Sequence, residues 1–109
     1  MPRKSLGEFE HQVLLAILHH GGSAYSAPIV VEIEERSGKS VAPAAVYIAL
    51  RRLEQRGLVV SSKEDPGPGE GGRGIRTFSV TPAAMDKLRE SRSTLESFWD
   101  GLDPVFGRR

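Results

Sequence analysis

A chain of 109 residues, 39% hydrophobic and 27% charged, has the size and balance of one domain with one core, which excludes wholesale disorder. It holds no cysteine, so disulfides and thiolate chemistry are excluded, and no apolar run approaches the roughly 18 residues of a membrane span. The net charge of +1 names no partner, but residues 39–80 carry seven Lys/Arg against four Asp/Glu, whereas residues 1–38 carry three against five. The basic excess therefore sits in the middle third. The start "MPRKS" is followed by "LGEFEHQ", whose acidic residues do not suit a signal peptide; the expectation is a cytoplasmic protein with no membrane partner.

Leu6, Phe9, Val13 and Ile17 recur at spacings of three and four, a helical stripe that Leu14, Leu15, Ala16 and Leu18 widen until the second half is apolar nearly all round. A surface helix on a monomer needs only one apolar face, so this one is expected to be buried by its own core and by a second chain. "HHGGS" ends it, with Gly21 as a left-handed cap. Pro28 marks the first turn of a second helix, in which Ile29, Val30 and Ile33 form the apolar side and Ser37-Gly38 the end. A third helix is expected from about Pro43 to Arg56. Ala42 lacks the side-chain oxygen of a good N-cap, and Pro43 offsets this in part because it brings no unpaired N–H.

"LVVSSKE" (58–64) and "IRTFSV" (75–80) read as two strands. Between them "DPGPGEGGRG" has five glycines and two prolines in ten residues, which predicts a mobile tip rather than a tight turn. Thr81-Pro82 is a hydroxyl N-cap followed by Pro at the first helical position, and the helix it opens is expected to reach about Asp100. Met85, Leu88, Arg92, Leu95, Trp99 and Leu102 follow a heptad seam with one charged slot, and the tail "DPVFGRR" is expected to fray. The order helix, helix, helix, strand, strand, helix is that of a mainly α protein with a two-stranded β-hairpin: a winged helix-turn-helix over residues 1–80 and a C-terminal dimerisation helix and tail over 81–109.

In such a fold the third helix enters the DNA major groove. Val46, Leu50 and Leu53 share one side of it; Ala44, Ile48, Arg51, Arg52 and Gln55 share the other. Ala44 and Ala45 would let the backbone approach base edges, Ile48 would pack on a thymine methyl, and Gln55 and the arginines would hydrogen-bond bases or phosphates. Lys39 and Ser40, just ahead of the helix, join this set. The plain reading is an ordinary surface helix, since alanine is the best helix former; the element order favours double-stranded DNA. A winged-helix module that binds protein through Ile48 and the alanines is the alternative.

The blocks "LGEFEHQVLLAIL", "AVYIALRRLEQRGLV", "GGRGIRTFSVTPAAMDKL" and "ESFWDGL" resemble the PadR family of bacterial transcription regulators, in the short form with one C-terminal helix. Val46, Tyr47, Leu50, Leu53, Glu54, Gly57, Leu58 and Val59 carry the most specific part of the likeness. The resemblance implies a dimeric winged-helix protein that represses a gene until an effector binds. It also implies that Tyr47 faces DNA and that the hairpin tip with Arg73 and Arg76 is the wing; on a flexible wing Arg73 and Arg76, with Lys63, would sit on the flanking DNA backbone. Where family members often have Ser or Thr with Gly, this chain has Ala42, Pro43, Ala44 and Ala45, which removes hydroxyl contacts to phosphate.

Burying a Leu or Phe side chain is worth about 1.5–3 kcal/mol, so the stripe of the last helix, left wet, would drive association. A two-fold homodimer is expected, with Leu6, Phe9, Val13, Leu14, Leu88, Leu95, Phe98, Trp99 and Leu102 at its interface. Phe98 and Trp99 are read first as dimer packing and second as a candidate pocket for a small hydrophobic effector. "GPGEGG" (67–72) matches G-x-G-x-x-G, but a strand follows it rather than a helix, and Glu70 would repel phosphate. His11, His19 and His20 do not have ligand spacing, and no nucleophile, base or acid pair stands in a recognisable frame. Neither cofactor, metal nor enzymatic activity is expected.

Overall fold

The computed structural model describes residues 5–64 and 75–102. Along these run α1 (Glu8–Leu18), β1 (Ser23–Ala24), α2 (Ser26–Ser37), α3 (Pro43–Gln55), β2 (Val59–Glu64), β3 (Ile75–Val80) and α4 (Pro82–Trp99). The expected helices and both long strands are present, with ends shifted by about one residue. One element was not expected. Ser23–Ala24 pairs antiparallel with Ser79 and Phe78, which makes the hairpin a three-stranded sheet of order β1-β3-β2. Two residues are too few for a period to register in the sequence. The tip (65–74), with Arg73, and the tail (103–109) lie outside the described residues.

Helices α1, α2 and α3 pack around Val13, Leu14, Ile17, Ile29, Val46, Leu50 and Leu53, and β3 closes this core with Phe78. The amphipathic stripes read from the sequence become its three sides. Gly21 takes the left-handed cap position at φ 80°, its N–H on Leu18 O (3.0 Å) and the Gly22 N–H on Ile17 O (3.1 Å).

The end of α3 is the busiest junction. Gly57 has φ 76°, which a side chain would strain, and this allows a Schellman turn: Gly57 N–H to Glu54 O (3.0 Å) and Leu58 N–H to Leu53 O (2.9 Å). The turn reverses the chain into β2. Thr81 then joins α4 to the same turn. Its hydroxyl donates to Gly57 O (2.8 Å) and accepts from the Ala84 N–H (3.2 Å), so a single oxygen caps α4 and fastens it beneath α3. Across the core, Glu10 Oε1 accepts from the Gly7 N–H (3.2 Å) and from Arg56 Nη1 (2.9 Å), tying the start of α1 to the end of α3.

Helix α4 belongs to this core only at its beginning. Ala84 and Leu88 are buried within it and Met85 is half-buried against it. One turn further, Ser91 Oγ lies 2.9 Å from His11 Nδ1 on α1. Burial there pushes the His11 imidazole below its ordinary value of 6.5. The folded protein therefore takes up this proton less readily than the unfolded chain does. The contribution is fully present above about pH 6.5 and is lost as pH falls below it. In thermal melts, His11→Gln should show a shallower loss of stability than the unsubstituted protein as pH falls below about 6.5; identical slopes would mean His11 is not the group responsible.

Candidate nucleic-acid interface

Helix α3 has two unlike sides, and the helical period assigns them. Val46, Ala49, Leu50 and Leu53 face inward and are buried. Ala44, Ala45, Ile48, Arg51, Arg52 and Gln55 are exposed, Ile48 at 52%. No side chain caps its first turn; Ala42 is the N-cap and Pro43 fills the first position. Pro43 brings no amide to that turn and the Ala45 N–H donates to Ala42 O (3.0 Å), so what favours an anion there is the positive end of the helix dipole. Lys39 and Ser40, both exposed, stand in the turn just ahead of it. That turn is fixed by Glu34, whose Oε2 accepts from the Val41 N–H at 2.9 Å.

Tyr47, Arg51 and Glu54 recur at spacings of four and three, so they form one edge of α3, and this edge meets the hairpin. The Tyr47 ring stands edge-on to Phe78 of β3, centroids 6.3 Å apart at 83°. The Arg51 guanidinium lies 5.9 Å above the Tyr47 ring and 3.3 Å from Glu54 Oε1. The other oxygen of Glu54 accepts from the Ser61 hydroxyl of β2 (2.7 Å). That hydroxyl in turn accepts from Arg76 Nη1 of β3 (2.8 Å).

In the β2/β3 register Ser61 pairs with Phe78 and Lys63 with Arg76. Side chains two residues apart share a sheet face, so Lys63 and Arg76 stand on the face that packs on α3. They are like charges directly opposite each other, which costs stability unless an anion lies between or beside them. Lys63 and Arg52 have no ion pair with any described residue.

The fold thus brings the α3 positions, Tyr47, Lys63 and Arg76 onto one side of the molecule, with Lys39 and Ser40 at the start of α3; Arg73 lies outside the described residues. Glu54 and Ser61 of this surface escaped the sequence reading. Arg51 and Glu54 at i, i+3 could have been read as a helix pair. The part of Ser61 could not, because only the pairing of β2 beside α3 brings its hydroxyl to Glu54.

The surface expected to pair two chains needs correction. Val13, Leu14 and Leu88 are 0%, 0% and 5% exposed, consumed by the protein's own core, and offer nothing to a second chain. Leu6 and Phe9 are half-buried against that core. Exposure is concentrated at the end of α4: Leu95 55%, Phe98 74%, Trp99 56% and Leu102 37%. Arg92, in the charged slot of the seam, is exposed and pairs along its own helix with Glu96 (2.9 Å). Between α1 and α4 runs an open groove of about 840 Å³, with Leu15, Leu18, Met85, Leu95 and Trp99 among its lining residues.

Three helices, a hairpin braced against the third, and an exposed face with two arginines on that helix define a winged-helix fold. Its relatives say which kind. Residues 14–90 match the family profile described as "Transcriptional regulator PadR-like family". The transcriptional regulator Rv3488 of Mycobacterium tuberculosis is 37% identical over 86 residues, 77% of this chain and 76% of that protein. The chain belongs to the PadR-like family of transcriptional regulators and is not an enzyme. More distant structures share the fold. A PadR-like transcription factor from Bacteroides fragilis superposes with a TM-score of 0.72 at 18% identity, over 89% of this chain and 88% of that one. BpsR of Bordetella bronchiseptica, whose DNA binding is regulated by 6-hydroxynicotinic acid, does so at 0.65 and 21% identity, over 96% and 74%. No helix among the described residues is long and apolar enough to cross a membrane.

The opposed cations on the hairpin generate a test independent of any ligand. Lys63→Ala should raise thermal stability by about 0.2–0.5 kcal/mol at low salt, and the gain should fade as salt screens the repulsion. A loss of stability would show that Lys63 and Arg76 do not oppose each other.

Proposed function

We propose that this regulator is a repressor that binds an inverted-repeat operator as a homodimer and leaves it when a small hydrophobic effector binds. The observation that carries the reading is the bare side of α3, with Ala44, Ile48, Arg51, Arg52 and Gln55 exposed and the Arg76 guanidinium held beside it through Ser61 and Glu54. Small residues at the start of a helix let its backbone approach base edges. Ile48 suits a thymine methyl and Gln55 an adenine edge, while cations at the flanks meet phosphate. Lys39, Ser40, Tyr47, Lys63 and Arg73 complete the proposed contact set.

For the dimer, the support is the wet end of α4. Leu95, Phe98, Trp99 and Leu102, with Leu6 and Phe9 at its margin, are the proposed contact; a second copy that covered the first four would recover about 1.5–3 kcal/mol for each side chain fully buried. In such a dimer the two α3 helices would read half-sites about 34 Å, one turn of DNA, apart. The groove beside Trp99 offers a flat apolar ligand a surface, and the control of BpsR by 6-hydroxynicotinic acid makes a small aromatic compound the class to try first.

Selection from random duplexes should enrich one inverted repeat. Arg51→Ala and Arg52→Ala should each weaken binding to it by about tenfold, and raising the salt should weaken it steeply. No enriched sequence would point instead to a winged-helix module that binds protein. Sedimentation at micromolar concentration should show a dimer, and Leu95→Ser should shift it toward monomer; a stable unsubstituted monomer would remove the proposed assembly.

A further inference from the structure

One carboxylate links cations from two separate elements, Arg51 directly and Arg76 through the Ser61 hydroxyl. Glu54 Oε1 is 3.3 Å from Arg51 on its own helix, and Glu54 Oε2 accepts a hydrogen bond from the Ser61 hydroxyl at 2.7 Å. A hydroxyl has one proton to give. With it committed to Glu54, Ser61 can only accept from Arg76, as the 2.8 Å contact shows. The direction of the chain is therefore set: Arg76 to Ser61 to Glu54, with Arg51 arriving from the other side. Arg51 and Glu54 retain side-chain exposures of 47% and 30%, so the pair is open to competition by an incoming phosphate.

We propose that Glu54 and Ser61 are the positioning residues that give this protein its discrimination between operator and random DNA. The proposal rests on the reading of α3 and the hairpin as the DNA-binding surface. Held by Glu54 directly and through Ser61, the two arginines have their distance and direction set before DNA arrives, which lowers the ordering cost at a site of matching geometry. On a duplex that offers only phosphates the same carboxylate acts against binding. Arg51 must share its charge with Glu54 or leave it, Arg76 must give up its bond to Ser61, and the negative group stays beside the backbone. Both effects widen the gap between specific and non-specific affinity. Neither Glu54 nor Ser61 is required to touch a base.

Two substitutions separate positioning from mere folding. Ser61→Ala breaks the bridge to Arg76 and leaves the Arg51–Glu54 pair. It should lower affinity for the selected operator about fivefold and leave affinity for random-sequence DNA unchanged. Ser61→Thr, which keeps the hydroxyl and suits a strand, should restore the loss. Once Arg76→Ala is present, Ser61→Ala should have no further effect on operator affinity. Glu54→Gln removes the negative charge but keeps an acceptor for Ser61. It should raise affinity for random-sequence DNA, steepen its salt dependence and lower the operator-to-random ratio. Thermal melts of each variant exclude unfolding as the cause. Parallel loss of both affinities, or an unchanged ratio, would overturn the positioning role while leaving the DNA-binding surface standing. If the unsubstituted protein does not prefer any sequence, that surface reading fails first and this one with it.

Discussion

Phe78, 1% exposed, is the point on which the rest turns. It sits at the centre of β3, pairs with Ala24 on one side and Ser61 on the other, and meets the Tyr47 ring of α3 edge-on. One buried aromatic side chain therefore sets the distance between the hairpin and the edge of α3. Every polar contact between them, from Arg51 through Glu54 and Ser61 to Arg76, depends on that spacing being held. A protein interior packs too densely for the ring to drift without moving its neighbours, so the surface above it inherits a rigid floor.

The electrostatics of that surface are local rather than global. A net charge of +1 would steer little. What matters is that three described acidic side chains near α3 are already engaged. Glu10 is bound to Arg56, Glu34 to the amide of Val41 and Glu54 to Arg51 and Ser61. Arg52 and Lys63 have no such partner among the described residues, and Lys63 is set opposite Arg76. A neutral protein can in this way present a face that accepts a polyanion.

Helix α4 divides into two parts with different physics. Through Leu88 it is an ordinary core helix, capped by Thr81 and packed beside α1. From Leu95 onward its apolar side chains meet water. Its 18 residues make a rod of about 27 Å, longer than the core can cover. The heptad seam thus crosses from intramolecular packing to a surface that a second chain or a flat ligand can use. Leu88 and Leu95 stand one heptad apart and meet opposite fates.

Most of the fold was legible in the chain. The 3.6-residue stripes named the buried sides of α1, α2 and α3, Gly21 and Thr81-Pro82 marked ends, and the outward positions of α3 followed from the inward ones. These signals are local: each needs only neighbours within a few residues and the pressure to bury apolar surface. The sequence likewise held the residue types of the candidate surface. It could not show that α1 would be consumed by its own core at Val13 and Leu14, because periodicity counts apolar faces without saying what covers them. The short strand β1 exists only through its pairing with β3. The bond from Ser61 to Glu54 is a meeting of residues on different elements, made by the packing of the hairpin on α3. Local energetics wrote the helices and strands; non-local packing decided which apolar faces remain for a partner and which cations stand together.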